Sequence, residues 1–136
     1  MALFEWSDQY SVGVSRMDSH HQKLFDMLNK LHDAMTIGKA MDVIASIIKE
    51  LLDYTKYHFG EEERLMEQIN YVRLEDQKTA HRKFISSIED YKEQADRGMA
   101  AFVSSGVSML LTDWLRNHIG VMDKKYQEEM NAKGIK

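Results

Sequence analysis

Residues 40–69 read AMDVIASIIKELLDYTKYHFGEEERLMEQI. Ile44, Ile48, Leu51, Thr55, His58, Glu62, Leu65 and Ile69 recur there at steps of three and four. That is the period of one face of an α-helix, and no Pro interrupts it. The face is apolar for most of its length, yet it carries an imidazole and a carboxylate near its C-terminal end. A long amphipathic helix needs partners for its apolar stripe, so the search moves outward for helices that could supply them.

Three more segments repeat the pattern. Upstream, about 18–37 places His21, Leu24, Leu28, Leu31 and Met35 on one face, with Asp18 or Ser19 as N-cap and Gly38 as stop. Downstream, about 72–97 carries Leu74, Gln77, His81, Phe84, Ile88, Tyr91 and Ala95, and Gly98 follows as a stop. The last, about 101–119, carries Val103, Val107, Leu110, Trp114 and His118. Ser104, Ser105 and Gly106 either cap it or lie inside it. Residues 1–17 read as an irregular arm anchored by Phe4 and Trp6, and the polar chain after Tyr126 reads as a fraying tail. No strand alternation or hairpin signal competes with this reading. Short connections make neighbouring helices antiparallel. The expected fold is all-α, an up-down-up-down four-helix bundle forming one domain over 1–136.

Composition agrees and narrows the function. The chain has 136 residues, 43% of them hydrophobic and 29% charged, enough for one self-sufficient core. It has no Cys, which removes disulfides and thiolate metal sites. Net charge is −4 and the basic residues are scattered, so no nucleic-acid footprint is expected. No apolar run approaches the roughly 20 residues that cross a bilayer. Glu5 and Asp8 in the first ten residues argue against a signal peptide. A cytoplasmic protein with no membrane partner is the expectation.

His21, His58, Glu62, Gln77, His81 and His118 all fall on stripes that face the core. An unpaired buried carboxylate or imidazole costs several kcal/mol, so these groups must satisfy one another or a shared ligand. Their depths agree: the start of the first helix, the end of the second, the start of the third and the end of the fourth share one end of such a bundle. His58 and Glu62 are four apart, as are Gln77 and His81, which makes each pair neighbours on a helix face. Asp123 lies five residues after His118. An unbroken α-helix would turn it away by about 140°, but a helix ending at Gly120 would free it to swing back. Imidazoles with carboxylates suit iron, zinc or manganese, and two candidate bridging carboxylates suggest two metals. Glu61 and Glu63 read as solvated face. His20, turned about 100° from His21, and His32, three turns down, read as non-ligands, and the Met residues as core filler.

The motifs together resemble the hemerythrins, and the bacteriohemerythrins most closely, through nearly the whole chain. The run from Met17 through Asp18, Ser19, His20, His21, Gln22, Lys23 and Leu24 to Phe25 is similar to the family's first ligand motif. His58, Phe59, Gly60, Glu61 and Glu62 match the second, Gln77 to His81 with Phe84 the third, and Trp114 to Ile119 with Asp123 the fourth. The resemblance implies the bundle of which myohemerythrin is a known example, holding two non-haem irons with an oxo or hydroxo bridge. It implies His21 and His58 on an iron with an open position, His81 and His118 on the other, and Glu62 and Asp123 bridging. Leu24, Phe59, Trp114, Leu115 and Ile119 would form the apolar pocket where dioxygen binds. The implied role is oxygen storage or delivery by a monomer, with an oxygen-consuming enzyme as recipient, rather than catalysis.

Two residues depart from the family pattern. Val72 stands where Pro is usual, and Gln77 stands where the family has a third His. An amide oxygen is a poorer donor than imidazole, so Gln77 ligates weakly, yields to water, or leaves the second iron loosely held. An opened position there makes a di-iron oxidase or peroxidase the alternative function. A bundle without metal is the third reading. The Glu-x-x-His motifs of ferritin-like oxidases and the His-Glu-x-x-His motif of zinc proteases do not occur.

Overall fold

The four apolar stripes fold as helices, as their spacing requires. In the computed structural model, which describes residues 5–136 and the side chains of all of these except 40–42, 100 and 101, α1 spans Ser15–Thr36, α2 Ala40–Gln68, α3 Leu74–Asp96 and α4 Ala100–Asp113. Each packs against the next, and α4 closes the bundle against α1. No strand occurs among the described residues. None of the described helices is long and apolar enough to cross a membrane.

The turns follow helix-stop chemistry. Gly38 and Gly98 take positive φ, and the next amide in each case reaches back to a carbonyl of the last turn: Lys39 N–H to Ala34 O at 2.7 Å and Met99 N–H to Gln94 O at 3.1 Å. This is the αL stop that glycine makes without strain. Asn70 does the same for α2, with φ 53° and Tyr71 N–H donating to Met66 O. Val72 stands exposed in the turn that follows.

Several boundaries differ from the sequence expectation. Helix α1 begins at Ser15, so Asp18 lies in its first turn and Ser19 inside it; neither is the N-cap. Asp18 instead accepts Val12 N–H at 2.8 Å and the Ser11 hydroxyl at 2.6 Å, tying the arm to the helix start. The arm is not wholly irregular, since Asp8–Tyr10 make a 3₁₀ turn. Trp6 and Tyr10 set their rings edge-on to Phe25, at 5.3 and 4.8 Å between centroids. Phe4 lies outside the described residues. Ser104 to Gly106 lie within α4, where the bare Gly106 lets the Tyr91 ring approach. Met35, Met99 and Met109 are exposed rather than core filler.

The largest difference lies beyond α4. The helix does not stop at Gly120. It continues through Trp114–Met122 with π-helical winding, turns 3₁₀ over Asp123–Tyr126 and ends in a short helix, α5, at Gln127–Ala132. The tail after Tyr126 is therefore ordered, with Tyr126 and Met130 fully buried and Asn131 donating to Gly13 O at 2.9 Å.

Two apolar clusters result. The larger fills the bundle from Leu24, Phe59, Phe84 and Ile119 toward the α1–α2 turn. The smaller joins Val12, Val14, Met17, Leu65, Met66, Ile69, Tyr71, Tyr126 and Met130. Along each helix the polar layer marks the passage from one to the other: His21 lies between Met17 and Leu24, Glu62 between Phe59 and Leu65, Gln77 and His81 between Tyr71 and Phe84, and Asp123 between Ile119 and Tyr126, with His58 and His118 at the edge of the larger cluster. The arm and α5 thus close the bundle end over a buried polar layer. Truncating Met130 to Ala should cost about 2–5 kcal/mol, as for other fully buried side chains. The readout is a lower urea midpoint at an unchanged m-value, and an unaltered midpoint would show that α5 contributes nothing to the closure.

Candidate metal centre

The polar layer brings together all seven residues singled out in the sequence. His21, His58, Glu62, Gln77, His81, His118 and Asp123 are buried, none more than 5% exposed. Helix α1 supplies His21, α2 supplies His58 and Glu62 on one face, and α3 supplies Gln77 and His81. His118 and Asp123 come from the π-helical segment and its end. There the Asp123 N–H donates to His118 O, five residues back. Five-residue winding stacks the two side chains, which an α-helix would separate, and π segments often occur at functional sites for this reason. The expected break at Gly120 is not the device. Gly120 sits inside the π turn, where a Cβ would come within 3.3 Å of Leu115 O.

The carboxylates lie between two groups of imidazoles. Glu62 Oε2 is 3.3 Å from His21 Nε2 and 3.7 Å from His58 Nε2, while its Oε1 is 3.2 Å from His81 Nε2. Asp123 Oδ2 is 3.4 Å from His21 Nε2, while its Oδ1 is 3.0 Å from His118 Nε2. Each carboxylate therefore sends one oxygen to the His21 side and the other to the His81–His118 side. Ligand atoms of His21, His58 and Glu62 lie within 4.8 Å of one another, as do those of Glu62, His81, His118 and Asp123. Glu62 belongs to both groups.

Hydrogen bonding tests whether cations fit. Among the described residues, buried side-chain polar atoms without a hydrogen-bond partner include His58 Nε2, Glu62 Oε1, Gln77 Oε1, His81 Nε2, His118 Nε2 and Asp123 Oδ2. So many orphaned acceptors converging in one layer would cost more than a domain can spare, and metal ions are the ligands that satisfy nitrogen and oxygen lone pairs together. The buried charges also shift one another's titration. Burial pushes the His58 imidazole well below its usual range and favours the neutral form that metals need. Burial alone would raise the Glu62 carboxyl, but the imidazoles of His58, His21 and His81 around it outweigh burial and hold the group well below the usual carboxylate range. Burial lowers the His81 imidazole, but the Glu62 and Glu63 carboxylates beside it outweigh that and raise it to about 9.

Gln77 joins the layer through its amide. Nε2 donates to Asp123 Oδ1 at 3.1 Å, which leaves Oε1 buried and unpartnered. The five apolar residues expected to wall the site, Leu24, Phe59, Trp114, Leu115 and Ile119, are all buried in the larger cluster. Phe59 stacks on His81 at 4.0 Å and Trp114 on His118 at 3.7 Å, so both imidazoles on that side are held by aromatic faces.

Three residues support the layer that the sequence reading passed over. Glu63 is not solvated face: its carboxylate accepts the His81 Nδ1 hydrogen at 2.7 Å, the carboxylate–histidine arrangement that orients metal ligands. Tyr126 donates its hydroxyl to Glu62 Oε2 at 2.7 Å from a fully buried position. His20 places Nδ1 2.9 Å from His58 Nδ1. The spacing 119, 123, 126, 130 continues the helical period past the expected end and would have located Tyr126. Nothing in the sequence marks Glu63, whose role exists only because α3 brings His81 beside it. Glu61, as expected, stays at the surface, paired with Arg16 and Arg64.

Comparison with known proteins gives the same answer by an independent route. The hemerythrin HHE cation binding domain model matches residues 12–129. A bacteriohemerythrin of Methylococcus capsulatus is 33% identical over 133 residues, 97% of this chain and 100% of its own. One from Pseudomonas aeruginosa is 37% identical over 126 residues, 93% of this chain and 80% of its own. A crystal structure of wild-type hemerythrin superposes with a TM-score of 0.81 at 31% identity, covering 93% of this chain and 97% of that one. A bundle whose polar layer sits between two apolar clusters, matched over almost its full length by these proteins, belongs to the hemerythrin family.

Proposed function

We propose that this chain holds two irons through its polar layer and stores or delivers dioxygen in the cytoplasm, as a monomer, to an oxygen-consuming enzyme. His21 and His58 would hold one iron, His81, His118 and Gln77 the other, and Glu62 and Asp123 would serve both. The observation that carries this assignment is the split of both carboxylates, one oxygen toward each imidazole group. When bound, the irons supply reversible dioxygen binding. The chain's own part is to orient the imidazoles, through Glu63 for His81 and Trp114 for His118, and to exclude water with Leu24, Phe59, Trp114, Leu115 and Ile119. Exclusion of water protects the reduced site from oxidation.

A second reading has one observation behind it. A surface cleft of about 410 Å³ is lined by Phe59, Gly60, Glu63 and His81, so it reaches the imidazole that shares α3 with Gln77. This favours oxidase or peroxidase turnover there.

Iron content and visible spectra, before and after reduction and re-exposure to air, decide between them. Storage or delivery predicts about two irons per chain and an oxygen-dependent band that returns through repeated cycles. Two irons that oxidise without an adduct, with peroxide consumed faster than by free iron, would replace storage with turnover. A chain that binds no iron would overturn both.

A further inference from the structure

The neighbours of the four imidazoles differ. His81 Nδ1 has a carboxylate, Glu63. His118 has the face of Trp114, and His21 Nδ1 has no hydrogen-bond partner. His58 Nδ1 has another imidazole, His20, at 2.9 Å. Adjacent residues of α1 therefore flank one residue of α2, with ring centroids 4.8 Å from His58 on the His21 side and 5.1 Å on the His20 side.

Two nitrogens at that distance share one proton. A neutral imidazole carries a single N–H, and His58 Nε2 is buried, without a protein hydrogen bond, in the group with His21 and Glu62. For Nε2 to offer its lone pair to a cation, the His58 proton must sit on Nδ1. His20 Nδ1 is then the acceptor, and the His20 proton sits on its own Nε2. The His20 ring is not free to leave: it packs against Tyr54 and Tyr57 at 6.0 and 5.4 Å, and the Tyr54 hydroxyl donates to the His20 carbonyl at 3.0 Å.

We propose that His20 is a positioning residue for the metal centre, accepting the Nδ1 hydrogen of His58 and so holding His58 with Nε2 bare and aimed at the His21–Glu62 group. The inference rests on the di-iron reading. It also makes the two sides of the centre unequal. Hydrogen bonding to a carboxylate raises a ligand's basicity, so His81, on Glu63, is the more electron-rich donor and His58, on a neutral ring, the less.

The test uses 15N-histidine-labelled protein loaded with zinc as a diamagnetic probe, together with ferrous iron titration. The expected spectrum shows a 15N–15N coupling across the bond from His58 Nδ1 to His20 Nδ1, with the proton on His58. His20→Leu should abolish the coupling and weaken ferrous binding about 10–100-fold, the scale of outer-shell losses. His20→Asn, whose amide oxygen stands where Nδ1 stood, should restore binding to within roughly threefold of wild type on the same scale. A wild-type spectrum with the proton on His20 Nδ1, or without coupling, overturns the proposal even if His20→Leu fails to fold. Unchanged iron affinity in His20→Leu overturns it as well. A wild type that loads no metal pair would instead overturn the di-iron reading itself.

Discussion

Replacing Glu62 with Ala is expected to empty the centre, from about two irons per chain to fewer than one, because this side chain serves both imidazole groups. Its Oε2 faces His21 and His58 and its Oε1 faces His81, so one truncation removes a ligand from each side and the principal link between them. Asp123 still spans the two sides, from His21 to His118, but it leaves each side one carboxylate oxygen short. Tyr126 also loses the acceptor of its buried hydroxyl, a penalty of about 1–3 kcal/mol. The consequence should appear in folding as well as in iron content. A ligand present at a thousand times its dissociation constant stabilises the native state by about 4 kcal/mol. For a chain of this length that raises the melting temperature on the order of 10 °C. Calorimetry with and without ferrous iron should show that rise in wild type and its absence in Glu62→Ala. Glu62→Gln keeps the shape and separates loss of charge from loss of packing. A Glu62→Ala protein that still holds two irons, or whose melting still responds to iron, would show that Glu62 does not bridge.

The bundle and the convergence of its polar stripe residues in one layer were legible in the sequence for one reason: both follow from helical period, and the chain keeps that period through all four segments. His21, His58, Glu62, Gln77 and His81 could be placed from stripe position and depth alone. What escaped depends on deviations from the period or on contacts between helices. Asp123 reaches the layer because the chain winds five residues per hydrogen bond between His118 and Asp123. No propensity announces that winding, and a helix break at Gly120 was the simpler reading. Tyr126 and Met130 keep the helical spacing beyond that irregular stretch, and a tail that looks polar in composition packs as a short helix with Met130 turned inward. Glu63 and His20 each follow or precede a ligand, and adjacency on a helix normally means opposite surroundings. Here the neighbouring helix supplies a ligand imidazole to each, His81 to Glu63 and His58 to His20.

Gln77→His is expected to tighten the second iron by at least about tenfold, since changes to outer-shell partners alone reach that scale. The wild-type amide divides its two ends: Nε2 donates to Asp123 Oδ1, and Oε1 remains buried and unpartnered. Rotating the amide to point otherwise would break the bond to Asp123, so Gln77 leaves a neutral oxygen free for a metal while it holds the Asp123 carboxylate. An imidazole gives up the second task for a stronger donor. The lost hydrogen bond to a charged group is worth about 1.5–3 kcal/mol, and part of it returns because a carboxylate drawn onto two metals no longer needs the amide. The gain in metal affinity should therefore exceed the loss. In a competition with a ferrous chelator, wild type should release its two irons in separate steps, the first from the His81–His118 side, and Gln77→His should release them together. Returning oxygen-dependent bands should persist through more cycles in the variant, and any peroxide consumption by wild type should fall. Stepwise release that survives the substitution unchanged would mean that Gln77 already serves the second iron as well as an imidazole does. The solvent cleft beside His81 would then have to account for any turnover.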